Sequence, residues 1–310
     1  MLGFSPGKDR TRIVSPLMQT EVSTSRPQIA SSRSVPYLQL GALAALCLWL
    51  YWSTLARLVA QWWHDPNFSH GFFVPLFSAF VVWQERHRFA QLAPQPSRLG
   101  FVLLCSALFF LVVGQMGAEL FIARSSLLLL LAGIVVLFFG WAALRAAFFP
   151  WAFLLLMIPI PNILLNQITF PLQLLASRLA GGVLSLVGVP VLREGNVINL
   201  SSMALEVAEA CSGIRSLMSL VTLAIIYGYL MEKRLWVRVL LAFASVPISV
   251  AANSVRIIGT GLLVQYWDPA LAEGYFHASW GWIIFVISLG MLYALHELIL
   301  RLSPQEKAKS

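Results

Sequence analysis

LFIARSSLLLLLAGIVVLFFGW, running from Leu120 to Trp141, decides the fold class. A helix needs about 20 consecutive apolar residues to cross the hydrocarbon of a bilayer, and this run reaches that length. The same reading along the chain marks spans at about Tyr37 to Ala60, Phe72 to Gln84, Leu99 to Met116, Leu120 to Trp141, Ala146 to Ile158, Ile214 to Met231, Trp236 to Tyr266 and Ser279 to Leu300. Composition agrees. The 310 residues are 59% hydrophobic and 11% charged, whereas soluble domains carry roughly a quarter charged residues. Mean hydropathy is +0.79. The expected fold is an all-α integral membrane protein with about eight transmembrane helices. Residues 36–301 form one membrane domain. They lie between a Ser-, Pro- and Arg-rich tail, 1–35, that reads as disordered, and a short tail, 302–310. The first apolar run starts too late and is too long for a cleavable signal peptide.

The pattern changes between spans five and six. Ile158-Pro159-Ile160-Pro161-Asn162 breaks a helix, and residues 163–187 are apolar but interrupted by Pro171, Arg178, Gly181 and Gly182. Such a stretch reads as an interfacial amphipathic helix or a re-entrant segment. From Val189 to Val207 the residues are more often β-branched, with a turn signal at Glu194-Gly195-Asn196. That predicts a small β-hairpin, so the whole segment is a small extracytoplasmic insertion of interfacial helix and hairpin.

Basic residues set the orientation. The formal net charge is +8, which in a soluble protein would raise nucleic-acid binding. Here Lys8, Arg10, Arg12, Arg26 and Arg33 precede the first span, and Arg86, Arg88, Arg98, Arg145, Lys233 and Arg234 fall in the loops after spans two, four and six. The positive-inside rule then places both termini in the cytoplasm. Membrane lipids are the expected surroundings, and no nucleic-acid partner is expected. The segment with Arg178 and Arg193 departs from the rule, but it is long enough to be partly exempt.

This topology gathers three reactive side chains on the outer side. Cys211, in Glu209-Ala210-Cys211-Ser212-Gly213-Ile214-Arg215, stands at the outer end of span six. Arg256 lies on the order of 15 Å below the outer end of span seven, at 1.5 Å per residue. His277 stands at the outer start of span eight. An intramembrane arginine costs at least ~2.5–3.5 kcal/mol unless it faces the bundle interior or a wet cavity. Asn253 and Thr260, three residues before and four after, share its helix face. The plain alternative is a structural arginine paired with Glu206 or Glu209. Cys211 taken alone would be a small buried hydrophobe. Against that, it precedes a helix N-terminus, where the dipole stabilises a thiolate. Ser212 and Gly213 leave room for a substrate backbone, and Arg215 adds positive potential one turn on. Cys47 and Cys105 fall within spans and are expected to be inert. His70, in the turn Asp65-Pro66-Asn67-Phe68-Ser69-His70-Gly71, is expected to rim the site. The outward His, Asp and Glu residues lack metal-ligand spacing, so neither a metal nor another cofactor is expected.

The blocks around Cys211, Asn253-Ser254-Val255-Arg256-Ile257 and His277 resemble, in order and spacing, the signature blocks of exosortases, multispanning bacterial relatives of archaeosortases. The Asp65 to Gly71 turn and the Ile158 to Pro161 break resemble that family too. The chain is similar to its single-domain form. The resemblance implies a cysteine transpeptidase in the bacterial inner membrane, with its active site on the periplasmic side. It would process secreted proteins carrying a C-terminal PEP-CTERM signal: a Pro-Glu-Pro motif, a transmembrane helix and a basic cluster. It also implies a link to exopolysaccharide production. Carried over by position, Cys211 is the nucleophile, Arg256 the proton donor or charge stabiliser, and His277 the third member. Arg215, Asn253 and His70 are the expected substrate-binding residues. The competing readings are a transporter or polysaccharide polymerase with Arg256 as counter-ion, and a non-enzymatic export scaffold.

Overall fold

The computed structural model describes residues 37–207, 213–267 and 274–303, with side chains within 41–207, 215–267 and 279–303. The chain divides into two units, Met1–Cys47 and Leu48–Ser310. Helix α1, Tyr37–His64, begins in the first, and the packing described below belongs to the second.

After α1 come a 3-10 segment, Pro66–Phe72, and the helices α2 (Phe73–Gln84), α3 (Arg86–Ala90), α4 (Leu99–Met116), α5 (Leu120–Phe138), α6 (Trp141–Ala146) and α7 (Phe148–Phe153). A second 3-10 segment, Leu154–Met157, leads to α8, Asn162–Leu186. Strands β1 (Leu192–Glu194), β2 (Val197–Asn199) and β3 (Ala204–Glu206) follow, then α9 (Gly213–Met231), α10 (Leu235–Tyr266) and α11 (Gly274–Leu302).

Among the described residues, five helices are long and apolar enough to cross a membrane: Gly41–His64, Leu99–Met116, Leu120–Phe138, Leu235–Tyr266 and Ser279–Leu302. The count becomes six if Phe148–Met157 and Asn162–Leu186, bent by 88°, are one broken span. The remaining segments of the eight-span reading are shorter. Helix α2 has 12 residues, about 18 Å of rise against roughly 30 Å of hydrocarbon. Residues 215–231 form a shorter apolar helix. Apolar runs register in the sequence whether or not a break interrupts them, and here prolines supply the breaks. Pro66 opens the 3-10 segment. Pro159 and Pro161 follow the second, and each lacks the N–H a continuing helix would use.

The two interrupted segments pack on each other in opposite directions. Trp62 Nε1 donates to the Met157 carbonyl at 2.9 Å, and His70 Nε2 lies 3.2 Å from the Leu156 carbonyl. Ser78 Oγ donates to the Pro150 carbonyl at 2.9 Å. These side chains satisfy carbonyls that the broken helix leaves open. Gly71 permits the contact, because a Cβ there would overlap the Trp62 indole.

Helices α4 and α5 approach along glycines. A Cβ at Gly100 would collide with the Leu137 backbone, and one at Gly114 would stand 2.5 Å from the Ala123 nitrogen. Small residues bring helix backbones together where lipid offers no hydrophobic drive. Cys105 sits on the exposed face of α4.

Where the sequence predicts a hairpin, a three-stranded antiparallel sheet forms, ordered β1-β2-β3. Glu194 pairs with Val197 across the turn, and Val197 with Glu206. Ile198, Leu205 and Val207 are buried against Ala176, Ala180 and Leu184 of α8 and Val250, Ile257 and Val264 of α10. Ser177 Oγ of α8 donates to the Gly195 carbonyl at 2.9 Å. The sheet is thus fused to the helices beneath it by alternating inward side chains.

At the opposite end of α10, one carboxylate ties three helices. Glu232 is 2% exposed and accepts from Arg234 Nη2 at 2.8 Å and from the backbone N–H groups of Lys233 and Arg234 at 2.7 and 2.9 Å. His296 Nε2 of α11 lies 3.5 Å from the same carboxylate, and His296 Nδ1 shares a 2.7 Å hydrogen bond with the Tyr227 hydroxyl of α9. Arg234 Nη1 also donates to the Ser303 carbonyl at 2.9 Å. Hydrogen bonds from Arg234 outweigh burial and hold the Glu232 carboxyl at about 2, below its ordinary 4.5. A depressed carboxylate stabilises the fold above its unfolded value and loses that contribution as pH falls through the folded one. Acid unfolding followed by tryptophan fluorescence should therefore show wild-type stability falling between pH 4.5 and about 2. Glu232→Gln should lose that slope and be about 1–3 kcal/mol less stable at neutral pH.

Candidate active site

Helix α10 carries a polar stripe through an apolar bundle. Ser249, Asn253, Arg256 and Thr260 are 5%, 8%, 5% and 8% exposed. They recur at three- and four-residue spacing, so they line one face, and burial turns that face inward. The expectation for Arg256 and Asn253 is met on this point: both face protein rather than lipid.

Glycine on α11 makes room for the guanidinium. A Cβ at Gly281 would lie 3.4 Å from Arg256 Nη2 and 3.5 Å from Cζ. Reciprocally, a Cβ at Gly259 of α10 would lie 2.9 Å from the Trp280 indole. Each helix offers a glycine to the other's largest neighbouring side chain, which fixes their register. Arg234 meeting Ser303 at the far end shows the same antiparallel alignment over the length of the pair. One turn from Gly281 toward the start of α11, position 277 stands level with Thr260. One turn is about 5.4 Å of rise.

A cavity of about 30 Å³ opens on the neighbouring side of the stripe. Thr169, Leu172 and Gln173 of α8, Leu217 of α9, and Ser249, Val250 and Asn253 of α10 line it. That volume accommodates a water molecule, and its Thr, Gln, Ser and Asn groups supply the polar partners a water needs. Helix α9 runs antiparallel to α10, since Gly228 lies against Arg238 and Leu217 against the Ser249 to Asn253 turn. A further turn along α9 reaches Gly213, level with the stretch from Asn253 to Arg256.

Of the residues expected at the site, Arg256 and Asn253 share the buried face. Cys211 lies outside the described residues. His277 falls within the first turn of α11, but its side chain lies outside them too. Arg215 is exposed in the first turn of α9. Glu206, a possible structural partner for Arg256, is exposed in β3, and Glu209 lies outside the described residues. His70 is 6% exposed and belongs to the contact between the two interrupted segments, where it faces the Leu156 carbonyl. Missing from the sequence reading is the polar edge of α8. Thr169, Gln173 and Ser177 recur every four residues, a spacing that could have revealed a face turned toward α10.

A family model described as Transmembrane exosortase matches residues 62–294, a range that contains Cys211, Arg256 and His277. No curated protein matches the chain. No solved structure matches it either.

The glycine at 281 makes a direct prediction. Gly281→Ala places a methyl at ordinary contact distance from the guanidinium and should leave the melting temperature nearly unchanged. Gly281→Leu should overpack the α10–α11 contact and destabilise the detergent-solubilised protein by about 1–3 kcal/mol, read by thermal unfolding.

Proposed function

Because the chain belongs to the transmembrane exosortase family, we propose that it is a membrane-embedded cysteine transpeptidase that cleaves and sorts secreted proteins bearing a PEP-CTERM signal. One arrangement carries the reading. The Arg256 guanidinium rests on Gly281, one turn from position 277, while α9 begins level with the same part of α10. Cys211 precedes that helix start by two residues in the sequence. The helix that follows Cys211 in the sequence, the one that carries Arg256 and the one that contains position 277 pack on one another, which supports the reading.

In the proposed reaction the Cys211 Sγ attacks the carbonyl carbon of the scissile peptide bond beside the Pro-Glu-Pro motif. The thiol proton passes to His277, and the carbonyl electrons move onto oxygen. Arg256 stabilises the thiolate or the oxyanion, an interaction worth roughly 3–4 kcal/mol in comparable sites. Collapse of the adduct breaks the C–N bond, and His277 returns the proton to the departing amine. A second nucleophile then resolves the thioester. Asn253 faces the small polar cavity, which supports a substrate-positioning role. Arg215 is exposed beside the helix start, which supports pairing with the acidic residue of the motif. His70, buried at the contact between the interrupted segments, would act by holding that contact.

The antiparallel contact between residues 70–78 and 150–156 supports both interrupted segments as crossings made of broken helices. With them the passes alternate, and the basic residues of the loops after spans two, four and six fall on one side. Both termini are then cytoplasmic, and Cys211, Arg256 and His277 lie toward the periplasm in the inner membrane of an exopolysaccharide-producing bacterium.

The test is co-expression with a tagged secreted protein ending in a Pro-Glu-Pro motif, a transmembrane helix and a basic cluster. Wild type should shorten the substrate. Cys211→Ala should leave it uncleaved at unchanged enzyme level, and Arg256→Ala or His277→Ala should slow cleavage about 100-fold or more. Equal processing by wild type and Cys211→Ala removes the cysteine mechanism. A silent Cys211→Ala with an inactive Arg256→Ala favours an anion-binding transporter or polymerase instead.

A further inference from the structure

Arg124 is 3% exposed, five residues into α5, within a helix apolar enough to cross the bilayer. Its Nη1 donates to Gln61 Oε1 of α1 at 2.7 Å. Its Nε is buried with no hydrogen-bond partner. Arg57 lies one turn before Gln61 on α1, so it shares the helix face that meets Arg124. Arg57 is exposed and uses only its Nε, toward the Ser53 carbonyl at 3.2 Å. Among the described residues, neither guanidinium has a carboxylate partner. The acids nearest in sequence are occupied or turned away. Asp65 accepts from the Asn67 backbone N–H at 3.0 Å, and Glu119 is exposed.

Two cations side by side in a membrane-crossing bundle, one of them buried, repel each other and lack the counter-charge that makes such residues tolerable. An anion beside them would offset that charge. The Gln61 oxygen is already engaged by Arg124, so its amide N–H groups remain available as donors beside the two guanidinium groups. Arg124 is about 6 Å from the start of α5 and Arg57 about 10 Å from the end of α1 at 1.5 Å per residue. Long arginine side chains cover that distance to the headgroup layer. Trp63, 76% exposed near the same end of α1, marks that layer. On α5, Phe121 precedes Arg124 by three residues, and it lines a groove of about 280 Å³ with Phe110, Ile122, Ser125, Ser126 and Leu129. A pair of cations with an apolar groove beginning at the neighbouring turn of α5 fits a ligand with a phosphate head and a hydrocarbon tail.

We propose that Arg57, Gln61 and Arg124 form a binding site for the phosphate of an anionic phospholipid, with its acyl chain along the α4–α5 groove. The site is distinct from the one built around Arg256 and does not rest on the proposed activity.

The experiment uses the full chain reconstituted in phosphatidylcholine vesicles with or without phosphatidylglycerol, as wild type, Arg57→Gln and Arg124→Gln. Lipid retained after detergent extraction is measured by native mass spectrometry, and melting temperature is followed in parallel. Wild type should retain phosphatidylglycerol and melt higher in its presence. Each substitution should weaken retention about tenfold, the loss expected for one charge-assisted hydrogen bond, with Arg57→Gln melting like wild type in phosphatidylcholine alone. Equal retention by all three proteins overturns the proposal. So does an Arg124→Gln equally destabilised in both lipids while Arg57→Gln keeps wild-type retention, since Arg124 would then be structural. If inorganic phosphate stabilises the detergent-solubilised protein as much as phosphatidylglycerol does, the ligand is a soluble anion and the lipid assignment falls.

Discussion

A guanidinium placed inside a membrane protein has to be surrounded by protein, and the arrangement of α8, α9, α10 and α11 follows from that requirement. Arg256 is 5% exposed, so lipid is kept from it on every side. Helix α11 comes close enough to do this because residue 281 carries no large side chain. Gly259 does the same for Trp280 in the opposite direction. The helix pair therefore meets in a register that sets each large group against a glycine. The polar residues around Arg256 follow from the same requirement. Ser249, Asn253 and Thr260 share its face, and α8 brings Thr169 and Gln173 to the cavity beside it.

A second set of constraints comes from broken helices. Irregular backbone at membrane depth is tolerated only where protein satisfies its polar groups. The chain meets this by pairing one interruption with another. Trp62 and Ser78 donate to carbonyls of the residue 150–157 segment, and His70 faces another. The break at Ile158 to Pro161 then turns the chain by 88° into α8, which runs against α10. Without that turn, the polar edge of α8 would not reach the stripe on α10.

Much of this was legible in the residues. The long apolar runs gave the five clear helices, because hydrophobic length alone decides them. The arginine in Asn253-Ser254-Val255-Arg256 demanded an interior face, and it has one. Glu194-Gly195-Asn196 marked the turn between β1 and β2. Short segments were harder. Phe72 to Gln84 is mostly apolar and forms an α-helix over all but its first residue, yet 12 helical residues fall short of the about 20 that a crossing needs. Nothing local distinguishes an apolar stretch crossing lipid from one buried against a second broken helix. The third strand was missed because its inward residues, Leu205 and Val207, are anchored by α8 and α10 rather than by a turn signal. His70 looked like a rim residue from its polar neighbours. Its burial depends on Leu156, 86 positions away, which no local pattern reveals.

The sheet's anchorage has a consequence for the helices that hold it. Val207 is 1% exposed beneath the strands, and Leu217 and Leu220 are 9% and 1% exposed on α9. Displacing either the sheet or α9 would draw these side chains out of their packing, so both are tied to the α8 and α10 helices between them.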